Sequence, residues 1–234
     1  MEGPASFPTT RWTLILAAKS SPEARRAAWT SLMTTYWKPL YVFLRRKGLD
    51  ATAAQDGVQD VMTQLLERDV LERVTPEKGR LRAYLRTVAQ NWLNTRHEAA
   101  TAVKRGAGAA TVAIDEVMAE RLLVDDGLSP EAAFERAWAQ AVMERALETL
   151  AQEFARGERS GPFEVVKLFF GAATPPSYRD VAARHQMSVP QLKSFLHRSR
   201  ERFRQLVEAE VGETVLHESE RAAEVRDVLA PELT

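Results

Sequence analysis

Hydrophobic residues recur every three or four positions along most of the chain, which is the period of an amphipathic α-helix. Three stripes are the clearest: Trp29, Leu32, Met33, Tyr36, Leu40, Phe43 and Leu44; then Ala54, Val58, Val61, Met62, Leu65 and Leu66; then Leu81, Tyr84, Leu85, Val88 and Trp92. No segment shows a convincing alternation of period two, the pattern of a half-buried strand. The sequence therefore predicts an all-α fold.

Capping and breaking residues place several helix ends. The run Ser21-Pro22-Glu23 predicts an N-cap with proline in the first helical position, and Ser129-Pro130-Glu131 predicts the start of a long alanine-rich helix that ends near Phe154. Pro39 is expected to end or kink the helix that carries Trp29 to Tyr36, because proline lacks the backbone N–H.

The 234 residues suffice for one large or two small domains, and the breaks favour two small helical domains. The predicted segments are a disordered N-terminus at 1–9, a first domain at 10–103, a flexible acidic linker at 104–129, a second domain at 130–211 and an acidic C-terminal tail at 212–234. Within the tail, Glu218 to Leu229 is a candidate for one further helix.

The charges are balanced overall, with 32 basic and 32 acidic residues, but they are unevenly distributed. Segment 78–105 has a balance of +6 and segment 177–207 one of +5, whereas 106–153 and 208–234 carry −7 and −6. Two separate basic blocks indicate a polyanionic partner such as nucleic acid. Ordinary solvated helix faces are the alternative explanation.

Several classes of protein leave no signature in this sequence. Cysteine is absent, so disulfides and thiolate metal sites are excluded, and no apolar run approaches the ~20 residues that span a bilayer. The N-terminus lacks the features of a secretory signal, so a cytoplasmic protein without membrane insertion is expected. No glycine-rich phosphate loop, nucleophile elbow or pair of metal-binding histidines occurs, which favours a protein that is not an enzyme and has no catalytic residues, metal or cofactor.

Segment 177–207 combines two predicted helices with a tight turn at His185-Gln186-Met187. Ser188 and Gln191 have the spacing of a capping box at the start of the second helix, whose apolar face is formed by Leu192, Leu196, Ser199, Phe203 and Leu206. This arrangement predicts a helix-turn-helix that binds DNA, although a plain helical hairpin is the alternative. The predicted DNA-contacting residues are Ser188, Gln191, Lys193, Ser194, His197, Arg198, Arg200 and Arg202.

Segment 78–105 interleaves basic residues with Tyr84 and Trp92, a composition that suits single-stranded nucleic acid. Both aromatic residues fall on the apolar stripe, however, which favours a place in the core over a role in base stacking. Better candidates for contact with nucleic acid are therefore Asn91, Asn94, Arg96 and His97.

The segments TRWTLILAA, YWKPLYVFLRRKG, AAQDGVQDVMTQLLERD, GRLRAYLRTVAQNWLNTR, KRGAG and SYRDVAARHQMSVPQLKSFLHRSRERFRQL follow one another in this order. Together they resemble the extracytoplasmic-function sigma factors of the sigma-70 superfamily, over about Thr10 to Val211. The resemblance implies a sigma-2-like helical bundle and a sigma-4-like helix-turn-helix domain, joined by a linker that would lie in the basic RNA-exit region of RNA polymerase.

The resemblance also implies roles for individual residues. The family pattern D-x-x-Q, which binds the clamp helices of the polymerase β′ subunit, falls on Asp56 and Gln59, with Asp60 beside them. The pattern W-L-x-x-I-A-x-N falls on Tyr84, Leu85, Val88, Ala89 and Asn91, where tyrosine replaces tryptophan. The residues implied for the minus-ten element are Arg80, Arg82, Asn91, Asn94, Arg96, His97, Lys104 and Arg105, and the helix-turn-helix would read the minus-thirty-five element.

The expected function is that of a sigma factor, whose partners are promoter DNA and core RNA polymerase, including its β′ clamp helices and β flap. An anti-sigma or other regulatory protein is a further candidate partner, which the sequence does not identify. Two alternatives remain open: a helix-turn-helix regulator that does not act as a sigma factor, and a helical adaptor that binds only proteins.

Overall fold

The computed structural model describes residues 21–66, 81–102, 127–159, 161–170, 174–212 and 218–229. Within these residues the chain forms eight α-helices and no strand, so the all-α prediction is confirmed. The helices are α1 Pro22–Arg46, α2 Ala51–Leu66, α3 Leu81–Ala102, α4 Pro130–Ala155, α5 Phe163–Phe169, α6 Tyr178–Arg184, α7 Val189–Gly212 and α8 Glu218–Leu229. The predicted N-terminus at 1–9 and the linker residues before 127 lie outside the described part of the chain.

Helices α1, α2 and α3 pack against one another through the three predicted stripes. Most stripe residues are buried, including Tyr36 on α1, Met62 on α2 and Leu85 on α3. Trp37 and Tyr41 are also buried and stack at 5.0 Å, although neither belongs to the predicted stripe of α1. Helix α1 therefore buries a wider surface than a single stripe provides.

The turn between α1 and α2 is fixed by its backbone. Gly48 has a φ of +96°, and its N–H donates to the Arg45 carbonyl at 3.0 Å while the Leu49 N–H donates to the Leu44 carbonyl at 3.3 Å. These two bonds close the helix in the manner of a Schellman motif, where glycine adopts a positive φ without strain. Asp50 then begins α2, because its Oδ1 accepts from the Ala53 N–H at 2.8 Å.

Helix α1 continues through Pro39 to Arg46, so the alternative that Pro39 ends the helix is wrong, and the alternative that it kinks the helix stays a prediction. An internal proline costs a helix about 3 kcal/mol. The flanking side chains of Tyr36, Leu40 and Phe43 are at most 1% exposed, and burial of each such side chain contributes roughly 1.5–3 kcal/mol. Tertiary packing of α1 therefore outweighs the local effect of the proline.

Helix α4 begins where the sequence predicts, with the Ser129 Oγ accepting from the Ala132 N–H at 3.1 Å. Ala133 and Ala137 on its first turns pack against Val42 of α1, and Phe134 meets Phe43 edge to face at 6.3 Å. The start of α4 is therefore part of the same core as α1.

The chain divides into two compact units, and the division falls inside α4 after Ala141. The described residues up to Ala141, with Gly212 and 218–220, form the first unit, and Val142–Val211 with 221–229 form the second. The domain boundaries predicted from the sequence stay a prediction, but residues 130–141 group with α1, α2 and α3 rather than with the helices after them.

The second unit has its own apolar core. Buried residues come from α4, α5, α6 and α7, among them Leu150, Val166, Val181 and Leu196. Aromatic contacts run through this core: Phe154 lies 6.0 Å from Phe195 and Phe169 lies 4.9 Å from Tyr178, centroid to centroid. The short helix after Gly157 and the tail helix, both expected from the sequence, are present as α5 and α8. Within the described residues no helix has the length and apolar composition to cross a bilayer.

Gly57 on α2 lies where side chains of α1 and α3 come very close to the backbone. A Cβ atom built there would lie 2.7 Å from Cη2 of Trp92 on α3 and 2.8 Å from Cδ1 of Leu44 on α1. Side chains do not tolerate carbon–carbon distances this short, so only glycine fits without movement of its neighbours.

We therefore predict that Gly57→Leu lowers the free energy of unfolding by about 1–3 kcal/mol, because the added side chain overpacks this crossing. Gln64→Leu, at an exposed position of the same helix, is the matched control and should stay within about 0.5 kcal/mol of the parent. Urea denaturation of the purified chains measures both. Equal stability of the two variants would contradict the packing described.

Candidate nucleic-acid interface

The turn between α6 and α7 is short and well bonded. Helix α6 starts at Ser177, whose Oγ accepts from the Asp180 N–H at 3.4 Å, and it ends at His185. The Ser188 N–H donates to the Gln191 Oε1 at 2.7 Å, and the Gln191 N–H donates to the Ser188 Oγ at 3.3 Å. The predicted capping box is therefore confirmed, and it fixes the first turn of α7.

Gln186 closes α6 in an unusual conformation, with a φ of +53°. Its N–H donates to the Ala183 carbonyl at 3.3 Å, and the Met187 N–H donates to the Ala182 carbonyl at 2.9 Å. This is the bonding of a Schellman motif, with glutamine in the position that glycine usually occupies. The left-handed residue reverses the chain within four residues and so sets where α7 begins.

The two sides of α7 differ sharply in burial. Leu192, Leu196, Ser199 and Leu206 are buried as predicted, and Phe203 is half-buried. Phe195, Val207 and Val211 are buried as well, so the apolar side is wider than the predicted stripe. The exposed side carries six of the predicted DNA-contacting residues: Gln191, Lys193, Ser194, His197, Arg198 and Arg200.

Two of the exposed cations on α7 lie close to aromatic rings, at distances typical of cation–π interactions. Lys193 Nζ lies 5.6 Å from the ring centre of Tyr178, and Arg200 Cζ lies 5.9 Å from that of Phe170. On the opposite edge, Arg198 Nη1 donates to Ser194 Oγ at 2.7 Å. The positive charges therefore flank the exposed polar strip that contains Ser194 and His197.

Arg202 has a different environment from the other cations of α7. Its Nε and Nη2 donate to the two carboxylate oxygens of Glu153 on α4, at 2.6–3.1 Å, and a third contact joins Nη1 to Gln205 at 3.1 Å. Glu153 is only 7% exposed, and Arg159 lies 3.7 Å from its Oε2. The hydrogen bonds from Arg202 hold the pKa of the Glu153 carboxyl below its ordinary value of 4.5, although burial acts in the opposite direction. The assignment of Arg202 to DNA contact stays a prediction, and within the protein Arg202 joins α7 to α4.

The first unit places Arg82 in a similar position. Its Nε lies 2.6 Å from Oε2 of Glu135 on α4, and its guanidinium lies over the ring of Trp138 at 4.1 Å. The side chain of Arg82 is 8% exposed, and Arg86 Nη1 shares the same carboxylate at 2.9 Å. Part of the first basic block is thus neutralised by the acidic start of α4.

The remaining predicted residues of α3 are exposed. Asn91, Asn94, Arg96 and His97 lie along its outer side, where Asn94 accepts a hydrogen bond from Gln90 at 3.0 Å. The guanidinium of Arg96 lies 5.3 Å from the ring centre of Trp92, which is 8% exposed, so the expectation that Trp92 belongs to the core is confirmed. Arg80, Lys104 and Arg105 lie outside the described residues.

The residues implied for polymerase binding lie on α2. Asp56 and Gln59 are half-buried, and Asp60 is exposed. The Oδ2 of Asp60 accepts from the indole Nε1–H of Trp92 at 3.1 Å, which ties α2 to α3. The structure therefore gives Asp60 a packing role that the sequence did not indicate.

Sequence reasoning missed Glu135, Glu153 and Arg159. The pairing of Glu153 could have been predicted, because Glu153 continues the helical stripe of Val142, Ala146 and Leu150. A carboxylate on an apolar stripe is stable there only when a cation pairs with it. Glu135 carries no such mark, since its partners Arg82 and Arg86 come from a distant part of the sequence. Nothing in the sequence marks Arg159.

The chain matches no family model, no curated protein and no solved structure. In the part of the chain that the structure describes, no three His, Asp or Glu side chains converge to hold a metal ion. Its function is therefore inferred from its own side chains, of which the exposed side of α7 is the most distinctive group.

The lowered pKa of Glu153 predicts a pH-dependent stability. A carboxyl with a lowered pKa in the folded state stabilises the fold above its unfolded pKa near 4.5, and this contribution disappears as the pH falls through the lower folded value. We expect Glu153→Gln to lower the free energy of unfolding at neutral pH by about 1.5–3 kcal/mol, the range of hydrogen bonds to charged groups. The difference from the parent should shrink below about pH 4.5.

Chemical denaturation at a series of pH values measures this difference. Glu148→Gln, at an exposed position of α4, serves as the control and should show no comparable loss at neutral pH. A loss for Glu153→Gln that persists unchanged in acid would show that the ion pair is not its cause.

Proposed function

We propose that this chain is a sigma factor of the extracytoplasmic-function type, which joins core RNA polymerase in the cytoplasm and directs it to promoter DNA. The observation that carries the proposal is the exposed side of α7, which presents Gln191, Ser194, His197 and Arg198 directly after a tight turn. A second helix presented in this way is the reading element of helix-turn-helix proteins.

On this proposal, α7 enters the major groove of the minus-thirty-five element. The amide of Gln191 suits an adenine edge, and the hydroxyl of Ser194 can bond to a donor or an acceptor on a base edge. Lys193 and Arg200 lie on the flank of the same side, where phosphates would meet them and fix the register of the helix. The second unit would also be the one that binds the β flap of polymerase.

The outer side of α3 is proposed to act on the minus-ten element. Asn91, Asn94 and His97 offer hydrogen-bonding groups to unpaired bases, and Arg96 supplies a cation beside them. Extrusion of a base costs a few kcal/mol, which such contacts must offset. Arg82 would support this surface indirectly, because its guanidinium already binds Glu135 and holds α3 against α4.

The accessible polar groups of Asp56 and Gln59 on α2 are proposed to bind the β′ clamp helices. Both side chains are half-buried, so part of each is exposed to solvent. This contact separates a sigma factor from a helix-turn-helix regulator that binds DNA without polymerase. An anti-sigma or other regulatory protein would compete for the same surfaces.

Reconstituted transcription tests the proposal. The full chain with core polymerase should yield run-off products from promoters of its own genome, mapped beforehand from RNA 5′ ends after overexpression. The double variant Asp56→Ala/Gln59→Ala should lose most of its affinity for core polymerase and most of the run-off product. The double variant Thr30→Ala/Thr34→Ala is the control, because these exposed hydroxyls donate to carbonyls of their own helix.

Two results would contradict the proposal in different ways. If the parent chain gives no product at any mapped promoter and does not join core polymerase, it is not a sigma factor. If it binds duplex DNA under those conditions, the regulator without polymerase becomes the better explanation.

A further inference from the structure

A small cleft opens beside α7 in the second unit. Its volume is about 280 Å³, and it is lined by Phe154, Glu158, Arg159, Phe195, Arg198 and Ser199. Phe154 and Phe195 meet edge to face at 6.0 Å and form an apolar wall, while two guanidinium groups reach the same space. The cleft is therefore a place where positive charge faces a partly apolar surface, next to the side of α7 proposed to read DNA.

Arg159 is held only weakly by the protein. Its Nη2 reaches the carbonyl of Arg198 at 3.5 Å, and its Nη1 lies 3.7 Å from Glu153, both at the long end for such contacts. The carboxylate oxygens of Glu153 already accept shorter hydrogen bonds from Arg202, at 2.6–3.1 Å. Since a guanidinium has five N–H donors, Arg159 retains the capacity to bind a further anion.

The second cation of the cleft is Arg198. Its Nη1 donates to Ser194 Oγ at 2.7 Å, which directs one edge of the guanidinium along α7. The acidic residue of the cleft, Glu158, lies 3.6 Å from Arg156, so its charge is partly compensated from outside the cleft. The balance of charge in the cleft is therefore positive, which favours the binding of an anion.

We propose that this cleft binds one phosphate of the DNA backbone, with Arg159 and Arg198 donating hydrogen bonds to its non-bridging oxygens. The inference rests on the proposed function, which places DNA against the exposed side of α7. A guanidinium matches the oxygens of a phosphate with two parallel N–H groups.

The proposed phosphate contact would set the register of α7 along the DNA groove. A phosphate held between the loop that carries Arg159 and the third turn of α7 fixes how far α7 slides along the groove. Arg159 thereby acts as a positioning residue that carries no sequence information of its own. Its loss should weaken all duplexes alike, whereas the loss of a base contact changes the sequence preference.

The test measures the affinity of the full chain for two duplex probes over a range of salt. One probe is the duplex that the parent chain selects from a random pool, and the other carries a single base change. We expect Arg159→Gln to weaken binding of both probes about 3- to 10-fold at 0.1 M salt. The slope of log affinity against log salt should fall by about 0.9, the value for one phosphate contact.

Two further arginine variants separate an effect of the cleft from a general loss of positive charge. Arg226→Gln removes an exposed arginine of α8 that bonds to a carbonyl of its own helix and does not line the cleft, and it should change affinity less than 2-fold. Arg159→Lys keeps the charge but loses the paired donors, so its affinity should lie between that of Arg159→Gln and the parent. Thermal denaturation of each variant establishes that the fold is retained, and Arg159→Lys provides the test if Arg159→Gln does not fold.

The remaining outcomes distinguish failure of the phosphate site from failure of the proposed function. Unchanged affinity and salt slope for Arg159→Gln, together with weaker binding for Arg198→Ala, overturn the phosphate site but leave the proposed function standing. A loss of core-polymerase binding with unchanged DNA affinity overturns it in favour of an acidic protein partner. If the parent chain selects no duplex and binds none, the proposed function itself fails.

Discussion

The pairing of Glu153 with Arg202 decides which side of α7 faces outward in the second unit. Glu153 is 7% exposed and receives hydrogen bonds on both oxygens, so a rotation of α7 would break the hydrogen bonds that Arg202 donates to this nearly buried carboxylate. A shift by one residue, about 100° around the helix, would also carry Leu192 and Leu196 out of the core. Ionic and apolar packing therefore select the same orientation, and the exposed polar side of α7 follows from it.

The two basic blocks of the sequence have different environments once folded. On α7, Lys193, Arg198 and Arg200 remain exposed, whereas on α3 the Arg82 guanidinium is buried against Glu135 and Trp138. A count of charges treats these cations alike, although a buried, paired arginine contributes little to an external field. Among the described residues of the two basic blocks, exposed cations therefore lie on α6, on α7 and on the outer side of α3, whereas Glu135 at the start of α4 neutralises Arg82 and Arg86.

Local signals were predictable from the sequence, and long-range partners were not. The capping box at Ser188 and the start of α4 at Ser129 depend on residues three positions apart, and both are present as predicted. The helix end expected at Pro39 is absent, because burial of the whole of α1 outweighs the tendency of proline to end a helix. The pairs that Arg82 and Arg202 make join residues 49 or more positions apart, which periodicity and composition cannot connect. The fold class was therefore accessible from the sequence, whereas the subset of basic residues that face solvent required the structure.

The central claim is that the exposed side of the first turns of α7 meets promoter DNA. Site-specific photocrosslinking tests it most directly, with the crosslinking amino acid at His197 in one sample and at Ala209 in another, both exposed on α7. With the chain bound to core polymerase on a mapped promoter, the probe at His197 should label DNA near the minus-thirty-five element and the probe at Ala209 should not. Equal labelling from both positions, or none from His197, would contradict the claim.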